Sequence, residues 1–242
     1  MGRILALGYG ALCYVFFLYV FLSAIWFVWT MDDTQATMVP WLRHMLIDAG
    51  LLSLFAIQHS VMARHGFKRM WLKLIPRPIE RSTYVLAASI CLWLIVRFWQ
   101  PLPETVWEIE SPFWITALHV VFWMGWAILL IATFLIDHFE LFGLKQVWIY
   151  FKGHEFQPPV FATPGFYKFV RHPIYMGFLL GFCATPHMTM GHLLFSIMTT
   201  GYILVAIQLE ERDLISVFGE QYRVYRSGVS MLVPVPKGRR SG

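Results

Sequence analysis

Apolar residues dominate this chain in long runs rather than in the alternating or one-faced patterns of a soluble fold. Such runs occupy 4–30, 42–62, 82–99, 113–136, 173–185 and 193–209. The first four approach or exceed the length a helix needs to cross a bilayer, about 20 residues. The first is too long and too aromatic for a cleaved leader, and no small-residue cleavage site follows it. The last two are shorter. Pro186, His187 and Gly191 separate them, so a tight helical hairpin would join them. Beyond them, Leu209, Leu214, Val217, Phe218, Tyr222 and Tyr225 recur at near-helical spacing among charges between 208 and 226. A helix apolar on one face and charged on the other lies in the membrane interface. The pattern predicts an all-α fold: a polytopic integral membrane helical bundle with about six apolar segments and a C-terminal interfacial helix. The whole of 1–242 is expected to be a single membrane domain, with four N-terminal spans in 1–136 and a cytoplasmic connecting segment at 137–172.

Composition narrows the class further. Of 242 residues, 58% are hydrophobic and only 14% charged, whereas soluble domains are roughly half apolar and a quarter charged. A soluble globular enzyme, a disordered chain and a nucleic-acid-binding module are excluded. Cys13, Cys91 and Cys183 each lie inside an apolar run, far from one another. Neither a disulfide framework nor a zinc knuckle is expected, and three buried thiols are.

Charge then orients the chain. The 31–41 loop carries Asp32 and Asp33, and the 100–112 loop carries Glu104, Glu108 and Glu110, both without Lys or Arg. The alternate loops and the two termini hold every one of the 19 Lys and Arg residues except Arg43 and Arg97. Basic residues stay on the cytoplasmic side, so both termini are expected in the cytoplasm of a cell whose inner membrane, by expectation a bacterial one, holds the protein through six crossings. Trp26, Trp29, Trp41, Trp99, Trp107 and Trp114 cluster at the outer ends of the runs, as an interfacial aromatic belt does.

Three pieces could carry chemistry. In Arg171-His172-Pro173-Ile174-Tyr175-Met176-Gly177 a basic pair closes a loop, Pro173 opens a helix and Gly177 allows close backbone approach. The pair suits an anionic group at a helix start, or an anchor to lipid headgroups. Glu210-Glu211-Arg212-Asp213 follows an apolar run. Its two carboxylates point about 100° apart on a helix, so one faces the bundle; it suits a cationic ligand, an amine or ribose hydroxyls, or simply ends the span. In Phe218-Gly219-Glu220-Gln221-Tyr222, followed by Tyr225, two tyrosines share a helix face.

Taken together and in this order, the three pieces resemble the isoprenylcysteine carboxyl methyltransferase superfamily, integral membrane enzymes that use S-adenosylmethionine. This resemblance covers about 165–234. Gln58-His59-Ser60-Val61-Met62-Ala63-Arg64, Glu80-Arg81-Ser82-Thr83-Tyr84, Trp99-Gln100-Pro101-Leu102-Pro103 and Asp137-His138-Phe139-Glu140-Leu141-Phe142-Gly143 extend it over most of the chain. They look like the bacterial methanethiol S-methyltransferase branch, close to the NnrU-like proteins. The resemblance implies S-adenosyl-L-methionine as cofactor and Arg171, His172, Tyr175, Gly177, Glu210, Glu211 and Tyr222 as cofactor-binding positions. It also implies that Glu211→Ala and His172→Ala would abolish cofactor binding in a folded protein. The tail departs from the superfamily: 229–234 reads Val-Ser-Met-Leu-Val-Pro, without the basic residue that often stands there. That weakens any clamp for a substrate carboxylate.

Ionisable groups inside spans are functional or paired. Asp48 follows His44 by about one helical turn, and a His44–Asp48 pair is expected. Methylation of a thiol requires the thiolate and hence a base; His59, Asp137 and His138 are the candidates. Met62, Tyr84 and Phe139 would line a pocket for a small thiol. The expected partners are that thiol and membrane lipid, with no nucleic acid and no metal. Two other readings remain at this point: an isoprenylcysteine carboxyl or other lipid-borne acceptor, and a non-enzymatic NnrU-like transporter or accessory protein using His44, Asp48 and His119.

Overall fold

The computed structural model describes residues 2–31, 40–157 and 160–234. Among these, five helices are long and apolar enough to cross a membrane. They are α1 (Arg3–Trp29), α2 (Trp41–Ala63), α4 (Glu80–Phe98), α5 (Pro112–Leu135) and α9 (Met190–Phe218). Shorter helices are α3 (His65–Trp71), α6 (His138–Leu141), α7 (Leu144–Lys152), α8 (Pro173–Cys183) and α10 (Glu220–Gly228). The all-α polytopic expectation holds. The acidic 31–41 loop lies largely outside the described residues, as do Lys237, Arg239 and Arg240.

The chain forms two compact units. One comprises Met1–Glu108, His138–Pro158 and His187–Met198; the other comprises Ile109–Asp137, Pro159–Pro186 and Thr199–Gly242.

In the first unit α4 packs on both α1 and α2, and α7 packs on α1. Burial follows size rather than polarity. The buried residues of α1 are Ala6, Gly10, Cys13, Val20, Ala24 and Val28, while Leu5, Leu12, Val15, Leu22 and Trp26 are exposed. Lipid is as apolar as leucine, so spans associate through small residues that bring backbones close. Gly10 illustrates it: a Cβ there would fall 2.5 Å from a Val147 methyl. Gly143 closes the turn before α7 with φ +87°, a conformation open to glycine, and its carbonyl accepts a hydrogen bond from the Ser82 hydroxyl.

In the second unit α5 and α8 form the main pair. Pro112 and Pro173 open these helices, where a missing N–H costs nothing. Gly177 and Gly181, one turn apart on α8, meet Gly125 and Trp126 of α5. A Cβ on Gly177 would lie 2.6 Å from the Gly125 carbonyl oxygen.

Several expectations change. The fifth apolar run is an 11-residue helix, about 16 Å long and roughly half the hydrocarbon thickness. No tight turn follows it. Instead 187–189 forms strand β2 (His187–Thr189), antiparallel to β1 (Thr105–Glu108). The sixth run does not end at 209: α9 continues to Phe218, and Gly219 breaks the chain at φ +56°. The amphipathic C-terminal helix therefore begins at Glu220, not 208. Cys183 is exposed, against the expectation of three buried thiols; Cys13 and Cys91 are buried. Finally, His44 and Asp48 are both buried but do not pair. His44 Nδ1 meets the Pro101 carbonyl at 3.0 Å, and Asp48 Oδ1 accepts the Gln100 N–H at 2.8 Å. The chain leaving α4 exposes backbone groups that a buried environment obliges something to satisfy, and these two side chains do so.

Candidate active site

Two polar clusters contain most of the residues singled out in the sequence, and each lies within one unit.

The cluster in the second unit is built on Glu211, near the end of α9. Its side chain is 3% exposed and that of Arg171 is 7%. One carboxylate oxygen accepts from Arg171 Nε at 2.7 Å and lies 3.1 Å from His172 Nε2. The other meets Arg226 Nε of α10 at 3.0 Å. Arg171 also donates through Nη1 to the carbonyls of Arg226 and Val229. The backbone N–H groups of Arg171 and His172 donate to the Ser230 and Met231 carbonyls. The guanidinium and its own backbone thus tie the end of α10 and the 229–231 segment to the start of α8. Here lies the reason the helix is followed by an extended strap rather than a free tail.

Around this salt bridge sit groups with spare capacity. Glu210 keeps 45% of its side chain exposed, 4.0 Å from His172 Nδ1. The Tyr175 ring lies 5.7 Å from the His172 ring. Tyr222 is buried and its hydroxyl has no hydrogen-bond partner among the described residues. Phe161 packs against Phe218, Tyr222 and Tyr225, and the Tyr225 hydroxyl donates to the Tyr167 carbonyl at 2.6 Å. Burial pushes the Tyr225 phenol up to about 12. Burial and then the Glu211 carboxylate push the Tyr222 phenol up as well.

Gly177 stands apart from this group. Its lack of a side chain is accounted for by the approach of α5. Nor does the structure support the expectation that Glu211→Ala would leave the fold undisturbed, because Glu211 neutralises a buried arginine. Arg226 was missed in the sequence. Its pairing with Glu211 reaches across the break at Gly219, where no local spacing signals it.

The first unit holds the other candidates except Asp137, which ends a segment of the second unit. His59, near the end of α2, lies 2.9 Å through Nε2 from the Tyr84 hydroxyl of α4. Arg81 stands 5.2 Å over the Tyr84 ring. Met62 accepts the Gln58 amide N–H on its sulfur at 3.1 Å. His138, at the start of α6, is buried among Tyr14, Phe139 and Phe142, and its Nε2 lies 2.8 Å from the Tyr14 hydroxyl. Phe139 itself is 46% exposed. Asp137, just before α6, holds φ +84°, a region that Asp tolerates better than most residues. Among the described residues, no group of three or more His, Cys, Asp or Glu side chains converges as metal ligands would.

Spanning helices faced with small residues, together with a buried Arg–Glu–His cluster, define an integral membrane protein with a built polar site. No protein-family model matches the chain, and no solved structure matches it. Methanethiol S-methyltransferase of Mycobacterium tuberculosis is 49% identical over 242 residues, covering 98% of both chains. The enzyme of the same name from Crocosphaera subtropica is 47% identical over 241 residues, covering 97% of this chain and 93% of the relative. The chain belongs to the methanethiol S-methyltransferase family, and it is a methyltransferase. Nurim of Xenopus laevis is a more distant relative, 32% identical over 176 residues, which cover 69% of this chain and 61% of nurim.

Proposed function

We propose that the protein transfers a methyl group from S-adenosyl-L-methionine to methanethiol, forming dimethyl sulfide, at a site open to the cytoplasm in a bacterial inner membrane with both termini on the cytoplasmic side. The observation that carries this reading is near-full-length identity of 47–49% to enzymes of that name. The polar cluster fits the cofactor's chemistry. A half-exposed carboxylate, Glu210, suits a cationic group, and the orphaned Tyr222 hydroxyl is a donor awaiting an acceptor.

In this reading His172, Tyr175, Glu210 and Tyr222 hold the cofactor. Arg171 and Glu211, with Arg226, keep those residues in place, and Gly177 seats α8 close to α5. The bound cofactor supplies an electrophilic methyl on a sulfonium. Met62, Tyr84 and Phe139 bind the small thiol, and His59, Asp137 and His138 are the groups able to take its proton. No strong new charge develops as the sulfonium is discharged, so orientation in a dry site supplies much of the rate.

Two measurements test this. S-adenosylhomocysteine at about 100 times its dissociation constant should stabilise the purified protein by about 2.7 kcal/mol. Methanethiol plus cofactor should yield dimethyl sulfide in the headspace. A protein that neither shifts in melting temperature nor forms the product contradicts the proposal. Binding without product, with a prenylated cysteine methylated instead, moves the acceptor to a lipid-borne carboxylate.

A further inference from the structure

His59 carries more information than its distance to Tyr84. The imidazole is stacked on Phe55, with centroids 5.4 Å apart and planes 17° apart. The Tyr84 hydroxyl lies 2.9 Å from Nε2 and 3.3 Å from the carbonyl oxygen of His59 itself. A phenol has one proton to give. The carbonyl is an acceptor only and offers that proton a place to go, which frees the phenol oxygen to accept at Nε2. The contact at Nε2 then needs its hydrogen from the ring, so Nε2 is protonated and donates to the phenol oxygen. A neutral imidazole has one N–H, and Nδ1 is left as a bare lone pair. Nδ1 is buried and has no hydrogen-bond partner among the described residues. A lone pair is the cheaper of the two groups to leave in that state, because orphaned buried N–H groups are the rarer kind. Arg81 braces the arrangement: its guanidinium lies over the Tyr84 ring, and its Nε donates to the Leu141 carbonyl at 2.8 Å.

We propose that His59 Nδ1 is the atom that takes the thiol proton, and that Tyr84 is the positioning residue that keeps this nitrogen unprotonated. The proposal rests on the methyl-transfer reading above. The S–H bond of the thiol breaks, its proton passes to Nδ1, and its electron pair remains on sulfur. The thiolate forms a bond to the methyl carbon of the sulfonium donor. The bond from that carbon to the donor sulfur breaks, and its electrons return to the donor as a neutral thioether. The imidazolium, still donating from Nε2 to Tyr84, then releases its proton to water. One thiol and one sulfonium give two thioethers and one proton. His138, the other histidine candidate, also meets a tyrosine hydroxyl through Nε2, that of Tyr14 at 2.8 Å.

Nitrogen NMR of the full-length protein in lipid nanodiscs, labelled with [15N]histidine and assigned with His59→Gln, reads the tautomer directly. The expected spectrum has a protonated Nε2 and an unprotonated Nδ1 for His59. Tyr84→Phe should redistribute the proton between the two nitrogens and lower turnover about 10- to 100-fold, leaving the thermal shift with S-adenosylhomocysteine unchanged. His59→Gln should lower turnover about 10²- to 10⁴-fold. Its remaining rate should climb roughly tenfold per pH unit as the free thiol ionises, while the wild-type rate levels off. Among the described residues, the charged and titratable groups placed against His59 are Tyr84 and Arg81, both on α4, and neither is altered in that variant.

Protonated Nδ1 in the active wild-type protein would overturn the assignment, as would a Tyr84→Phe variant with unchanged spectrum and turnover. A wild-type protein that makes no dimethyl sulfide would overturn the methyl-transfer reading itself.

Discussion

Glu211→Ala is expected to loosen the C-terminal region before it affects any ligand. The substitution strands the Arg171 guanidinium, 7% exposed, and takes the carboxylate from His172 and Arg226. Removing one partner of a buried ion pair costs about 3–5 kcal/mol. The Arg226 contact adds little, about 0.2–1 kcal/mol, because that side chain is 47% exposed. For a chain of this length such a loss lowers the melting temperature by roughly 10 °C. Because Arg171 also holds the end of α10 and the 229–231 strap, trypsin should cut at Arg223 and Arg226 sooner than in the wild type. The double substitution Arg171→Met, Glu211→Leu removes both charges and should recover part of the lost stability, since an apolar pair of similar volume often matches a buried ion pair, while the bonds from Arg171 to the Arg226 and Val229 carbonyls stay lost. The coupling read from the wild type, Arg171→Met, Glu211→Leu and the double variant should exceed about 1 kcal/mol. If Glu211→Ala melts with the wild type and the double variant is merely additive, the buried pair does not hold this region together.

Three further outcomes follow from the packing. Gly177→Leu forces side-chain atoms into the backbone of α5 and should lower the melting temperature in detergent, with Gly177→Ala milder at about 1–3 kcal/mol; an unchanged melt for both would remove the close α5–α8 contact. Asp48→Asn keeps an oxygen for the Gln100 N–H and should melt near the wild type, whereas Asp48→Ala leaves that N–H unpaired at about 1–3 kcal/mol; equal losses in the two would refute the assigned role. Tyr225→Phe loses the bond to the Tyr167 carbonyl, worth about 0.5–1.5 kcal/mol. The folded-state phenol is raised to about 12 from an ordinary 10.0. Its contribution is therefore fully present below pH 10 and declines between pH 10 and 12. In that window wild type and Tyr225→Phe should converge in stability; a gap that widens with pH would contradict the burial argument.

The spans were legible because the cost of placing polar groups in lipid is local and additive along a run, and α1, α2, α4, α5 and α9 all appear where apolar runs stand. So was the grouping of Arg171, His172, Glu210 and Glu211, whose residue types and order survive as a pattern. What escaped depends on partners distant in sequence. The pairing of β1 with β2 joins two short segments about 80 residues apart, neither with an alternation long enough to read. Arg226 reaches Glu211 only because Gly219 turns the chain. The one-turn spacing of His44 and Asp48 suggested a mutual pair, but unsatisfied backbone groups at 100–101 competed for both side chains and won. Cys183 sits in an apolar run yet faces outward, because in lipid an apolar run carries no inside or outside.

The proposed reaction carries the methyl group of the sulfonium cofactor to methanethiol. The most direct test supplies purified protein with S-adenosyl-L-methionine deuterated in its methyl group and unlabelled methanethiol, and follows the headspace by mass spectrometry. Dimethyl sulfide carrying one deuterated methyl, formed in step with S-adenosylhomocysteine, is the predicted result. Cofactor consumed without labelled dimethyl sulfide, or none consumed at all, would contradict it.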